Sequence, residues 1–164
     1  MEIRKLCPDD DLFAVSSVYE RSWKSACQGL IDQNYLDNLS SGFWVPVLQQ
    51  PERHTLLLLD QDAVVGVIGY CASRTPELAD WGEISSLYLL CEYWGTGYGQ
   101  HLFAHAVKAL QEEGYHKLFL WVLEENRRAR RFYEKLGLQP ADLHREQRIG
   151  STAVREIVYC KEGF

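Results

Sequence analysis

The chain has 164 residues, 46% of them hydrophobic, enough to bury roughly 70% of the surface of its unfolded form around one core, so residues 1–164 are expected to form a single domain. A net charge of −6 argues against a general nucleic-acid surface, which needs clustered Lys and Arg; it favours cationic partners, or simply solubility. Five scattered cysteines with no CxxC pair suggest neither a disulfide framework nor a zinc site, and point to reduced thiols in a cytoplasmic setting.

Glu2 to Leu6 alternates polar and apolar residues and reads as a first strand with no apolar run behind its charges. Apolar stretches such as Leu56 to Leu59 are far too short to span a bilayer, so no membrane association is expected. Pro8 to Asp11 offers caps for an amphipathic helix to about Ala26, with Leu12, Val15, Val18 and Tyr19 at helical spacing. Helical stretches follow around Gln33 to Leu39 and Trp44 to Leu48. His54 to Leu59 and Ala63 to Ala72 flank a short turn and make an antiparallel hairpin, and Trp81 to Leu90 is a further strand. The period then changes: Leu102, Phe103, Ala106, Ala109 and Leu110 trace one face of a helix that stops before Gly114. Lys117 to Leu123 reads as a strand, and Ala129, Phe132, Tyr133 and Leu136 as the buried stripe of a helix closed by Gly137. Leu143 to Ile149 and Thr152 to Cys160 form a terminal hairpin around Gly150. This order implies an α/β (α+β) class fold, a mixed, mostly antiparallel central sheet flanked by helices.

Between the strand at Glu83 and the helix after it lies Trp94-Gly95-Thr96-Gly97-Tyr98-Gly99-Gln100, a glycine turn that leaves several N–H groups unpaired at a helix start. Such a start binds anions, and glycine permits close approach. Three alternating glycines alone are shared with dinucleotide sites and ordinary turns, but the GxGxxG spacing and the P-loop Lys-Ser/Thr are both missing.

The loop resembles the pyrophosphate loop of the GNAT superfamily of N-acetyltransferases, Arg/Gln-x-x-Gly-x-Gly/Ala, with Gly97 and Gly99 matching and Trp94 departing at the first position. Asn126-Arg-Arg-Ala-Arg-Arg-Phe-Tyr-Glu-Lys-Leu-Gly-Leu138, about 30 residues on, is similar to the family's Asn-x-x-Ala-x-x-Phe-Tyr-x-Lys-x-Gly-Phe. The resemblance implies a GNAT-like fold and transfer of an acetyl group from acetyl-CoA directly to an amine. It also implies coenzyme binding by Gly95, Thr96, Gly97, Tyr98, Gly99, Gln100 and Asn126, with Leu87, Tyr88 and Leu89 along the acetyl and pantetheine portions.

On the same resemblance Glu83 matches a general base, directly or through water, and Tyr133 the proton donor to the coenzyme thiolate. Each has a plainer reading: Glu83 as a partly solvated strand-edge acid, Tyr133 as inward packing, Asn126 as an N-cap. Tyrosine and thiol pKa values of about 10 and 8.5 make proton transfer between them feasible. Arg127, Arg128, Arg130 and Arg131 either meet the 3'-phosphate or form a solvated helix face. Cys91 invites an acyl-cysteine route but has no adjacent base in sequence. His101 and His105 lack the glutamate of a zinc motif, so no metal is expected. Trp23, Tyr35 and Trp44 either line an acceptor groove or pack helices on the sheet. The acidic balance favours a small cationic amine as acceptor. A protein amine, or a non-catalytic acyl-CoA sensor, stays open, as does a homodimer through the terminal elements.

Overall fold

The computed structural model describes residues 1–164. Its strands are β1 (Glu2–Lys5), β2 (His54–Asp60), β3 (Ala63–Ala72), β4 (Gly82–Leu89), β5 (Lys117–Leu123), β6 (Gln139–Ile149) and β7 (Thr152–Glu162). Its helices are α1 (Leu12–Ala26), α2 (Gln33–Asp37), α3 (Val45–Leu48), α4 (Tyr98–Glu112) and α5 (Arg127–Lys135). The strands form one sheet in the order β1-β2-β3-β4-β5-β7-β6, antiparallel everywhere except between β4 and β5. The alternation of periods in the sequence therefore describes the architecture correctly: a mixed sheet flanked by helices.

Local chemistry sets the element ends. Asp11 caps α1 by accepting from the N–H groups of Phe13 and Ala14, and Asn126 caps α5 through Ala129. Gly137, at φ +84°, ends α5 in the left-handed region. β6 starts at Gln139 rather than at Leu143 because Gln139 and Pro140 also pair with β7, ahead of a break in register between Pro140 and His144. That irregularity accommodates a proline, which has no N–H for a ladder.

β3 and β4 carry the packing that places the site. Val15, Val18 and Tyr19 of α1 are buried, and the Tyr19 hydroxyl shares a 3.0 Å hydrogen bond with Ser86 of β4. Leu102, Phe103, Ala106 and Leu110 of α4 are buried against the other face. Gly69 pairs with Ser86 and Tyr70 with Ile84, so Ser85 is an extra residue in β4 and forms a bulge. A Cβ on Gly69 would lie 2.7 Å from both the Ser85 and the Ser86 hydroxyl oxygens, so the bulge turns two consecutive side chains over one glycine.

β4 and β5 pair only at Gly82 with Leu118 and at Glu83 with Phe119. Beyond these pairs the strands part. Gly69→Val should therefore crowd the bulge and destabilise the fold by about 1–3 kcal/mol, read as a lower urea midpoint with an unchanged slope.

Candidate active site

The gap between β4 and β5 is a cavity of about 680 Å³. Ile84 to Leu89 of β4 and Leu120 to Leu123 of β5 form its two sides, with α1, α5 and the glycine turn around it. The sequence-selected Leu87, Tyr88 and Leu89 all line it, as do Gly95, Gly97, Gly99, Gln100, Asn126 and Tyr133. The structure thus brings together two motifs that are far apart in the chain.

At the turn, Gly95 and Gly97 have φ of +77° and +88°, which only glycine adopts without strain. Gly97 starts α4 with no side-chain cap, and the N–H groups of Gly95, Thr96, Gly97 and Gly99 donate to no acceptor in the chain. Four free donors at a helix N-terminus suit an anion such as a pyrophosphate. Thr96 and Tyr98 do not line the cavity. The Thr96 hydroxyl instead donates to the Tyr93 carbonyl, so Thr96 braces the turn.

Trp94 donates its indole N–H to the Leu89 carbonyl at 2.8 Å, pinning the turn to the end of β4. The Arg128 guanidinium lies 3.5 Å from the centre of its ring. Asn126 uses Oδ1 to cap α5, and its Nδ2 makes no bond within the chain.

Tyr133, on the inner face of α5, is 9% exposed and packs between Phe103, Phe132 and Tyr159. Its hydroxyl has no hydrogen-bond partner in the chain. Burial pushes its pKa up to about 12, with the Arg128 charge pulling weakly the other way. It is therefore protonated at neutral pH, as a proton donor must be.

Glu83 is not brought into this group. Its carboxylate is 2% exposed and does not line the cavity. Both oxygens are taken: Arg74 donates its backbone N–H at 3.0 Å and Nε at 3.2 Å to Oε2, and Nη2 to Oε1. The partly solvated strand-edge acid is therefore corrected to a buried, fully engaged carboxylate, because Arg74 folds back over it from the end of β3.

The carboxylate that does line the cavity is Glu156 of β7, which the sequence did not single out. It stands opposite Leu123 of β5 and Arg145 of β6, and its Oε2 accepts from Arg145 Nε, leaving Oε1 without a partner in the chain. It lies in an ordinary alternating hairpin, and only the strand register carries it to the cavity. Arg145 also covers the Trp121 ring at 4.2 Å.

Of the aromatic candidates, Trp23 lines the cavity and donates to the Tyr88 hydroxyl at 2.8 Å. Trp44 is buried and stacked on Tyr19, and Tyr35 packs under Gly150. Cys91 is exposed and outside the cavity, whereas Cys27 lines it. Burial pushes the Cys27 thiol up to about 11, so it is not a thiolate nucleophile at neutral pH. His101 and His105 are exposed on α4 and joined by an Nδ1-to-carbonyl hydrogen bond.

The acetyltransferase (GNAT) family matches residues 15–138. An uncharacterised N-acetyltransferase of Mycobacterium tuberculosis is 28% identical over 93% of this chain and 96% of its own. A spermidine N(1)-acetyltransferase of Thermoplasma acidophilum is 26% identical over 87% and 90%. Among solved structures, a PaiA N-acetyltransferase of Thermoplasma acidophilum in complex with coenzyme A superposes with a TM-score of 0.76 at 23% identity, covering 98% of both chains.

Removing Arg74 should leave a buried charge behind. Arg74→Ala is expected to destabilise the protein, at the lower end of about 3–5 kcal/mol because Arg74 is itself partly exposed. Adding Glu83→Gln to it should recover part of that loss, as read by denaturant unfolding of the single and double variants.

Proposed function

The chain belongs to the acetyltransferase (GNAT) family and is an acyltransferase that uses acetyl-CoA; from that premise we propose that it acetylates the primary amine of a small cationic molecule by direct transfer. The observation that carries the reading is the composition of one cavity: a free anion-binding turn, an unpartnered tyrosine hydroxyl and a single lining carboxylate, Glu156.

The residues fit the coenzyme. The turn and the N-terminus of α4 present unpaired N–H groups to phosphate, and the unpaired edges of β4 and β5 offer backbone groups to an amide-bearing arm. Bound there, the coenzyme supplies a thioester carbonyl for an amine to attack. Asn126 Nδ2 would steady the arm, and the β4 backbone beyond Glu83, which has no partner on its β5 edge, would offer N–H groups to the carbonyl.

Tyr133 holds the proton for the departing sulfur: its unpartnered hydroxyl is protonated at working pH, although burial also makes it a weaker acid than a free tyrosine. Glu156 attracts the ammonium of the acceptor through its free Oε1. Presenting a lysine-like amine neutral at pH 7 costs roughly 4.6 kcal/mol, so a nearby carboxylate that takes up the proton, directly or through water, speeds the reaction. Glu83, closed off by Arg74, serves instead to hold β4 against the end of β3.

Two further observations support a small acceptor. α1 and β7 both line the cavity, and the segments that continue from them meet at the hairpin tip. There Ser151 donates to Asp32 at 2.7 Å, and the Asp32 N–H donates to Thr152 at 2.8 Å. That bridge joins the segment after α1 to the tip of the terminal hairpin, the two elements between which a peptide-wide groove would have to run. A relative of similar length acetylates spermidine by name, which fits the cationic class. Five free cysteines support a cytoplasmic setting.

The test is thiol release from acetyl-CoA with a panel of polyamines, other primary amines and an N-terminal peptide. A polyamine or another small cation should be the best acceptor. Preference for the peptide would move the reading to a protein amine, and coenzyme binding without turnover would favour a sensor.

Tyr133→Phe should lower kcat by about 10²–10⁴-fold with coenzyme affinity kept. Glu156→Gln should raise KM for cationic amines, while Glu83→Gln should leave KM near its original value. With respect to pH, the rate should rise as the acceptor amine loses its proton. It should show no falling limb from Tyr133 until about pH 12, because a group with a raised pKa keeps its proton through the range below it.

A further inference from the structure

The four arginines of α5 differ in their surroundings. Arg130 is engaged, donating to the Tyr159 hydroxyl at 3.1 Å and to the Glu124 carbonyl at 3.0 Å. Arg127 is exposed and does not line the cavity. Arg128 and Arg131 line it, as does Lys135. At about 100° per residue, positions 128, 131 and 135 fall within one narrow arc of the helix. A run of charge that the sequence left between a 3'-phosphate contact and a solvated face thus carries exposed cations along one wall of the cavity.

Arg128 stands out within that stripe. Its guanidinium carbon lies 3.5 Å from the centre of the Trp94 ring, and it forms neither a hydrogen bond nor an ion pair with any group of the chain. Partial desolvation lowers its pKa, and no carboxylate is near enough to offset that. The ring beneath it is itself fixed by the bond from Trp94 Nε1 to the Leu89 carbonyl. A planar cation is therefore held on the residue that opens the turn, in the cavity that the turn also lines, with its own donors unspent. Guanidinium matches phosphate oxygens in two-pronged geometry and retains its charge at all working pH values.

The turn itself lacks a side-chain cation. Where the similar family motif has Arg or Gln, this chain has Trp94. We propose that Arg128, braced on Trp94, supplies the side-chain cation for the coenzyme pyrophosphate, so that the charge missing from the turn is delivered from α5 across an aromatic platform. Trp94 then acts as a positioning residue, and the pair replaces a single loop side chain. The inference rests on the coenzyme reading of the cavity.

Calorimetric titration with CoA, dephospho-CoA and pantetheine separates the contributions, since the second ligand lacks the 3'-phosphate and the third lacks every phosphate. Arg128→Met should weaken CoA and dephospho-CoA alike by about tenfold or more and leave pantetheine unchanged. The double variant Trp94→Arg with Arg128→Met, which returns a guanidinium to the turn, should recover most of the loss.

If pantetheine is too weak to titrate, the salt dependence of the CoA affinity makes the same decision. Its slope should fall in Arg128→Met if the guanidinium meets phosphate and stay the same if it only packs. A loss seen with CoA but not with dephospho-CoA would assign Arg128 to the 3'-phosphate and overturn the inference. So would an equal loss with pantetheine, or no loss at all. Failure of the unaltered protein to bind CoA would overturn the coenzyme reading and this inference with it.

Discussion

Two residue pairs join β4 to β5, and the rest of the molecule is arranged around the place where that pairing stops. Each strand is held firmly on its other edge, β4 by β3 and β5 by β7 through seven pairs apiece. The two strands therefore follow different neighbours. The Ser85 bulge adds local twist to β4 at the point of divergence, and a gap opens in the middle of the sheet. Backbone polar groups along a gap need partners, so it is either filled with water or built for a ligand that brings its own amides.

Once the gap exists, the surrounding elements have defined tasks. The turn from β4 into α4 delivers a helix start with unspent donors at one end, and α5 closes a side with Tyr133, Phe132 and its basic stripe. α1 and its C-cap close another with Trp23 and Cys27, and β7 brings Glu156. The charges are sorted by element: the cations of the cavity come from α5 and its carboxylate from the hairpin. That division puts positive and negative charge on different walls of one cavity. Glu83 shows the converse. A buried carboxylate is tolerable only when its oxygens are satisfied, and Arg74 satisfies both of them.

Much of this was legible in the chain before any coordinates. One alternating stretch, apolar runs bounded by turn residues and stripes of period 3.6 mark all seven strands and the helices, since strand and helix periods follow from backbone geometry alone. The turn at Gly95 to Gly99 and the N-cap at Asn126 were legible for the same reason: positive φ and unpaired N–H groups are local needs that particular residues meet locally. Tyr133 could be placed inward from its stripe.

Other features had no local signal. Glu156 reaches the cavity through its register with Leu123, and Arg145 is its neighbour through the opposite register, distances that sequence spacing cannot express. Glu83 looked available because nothing nearby in the sequence announces that Arg74 folds back over it. Arg128 is one of four arginines that the sequence leaves between a 3'-phosphate contact and a solvated face, and the packing of α5 beside Trp94 sets it apart. The sequence by itself determined the elements, their ends and the anion-binding turn, which depend on residues a few positions apart. Only the tertiary structure decided which charges face the cavity and which are already neutralised, because electrostatic partnership depends on distance through space rather than along the chain.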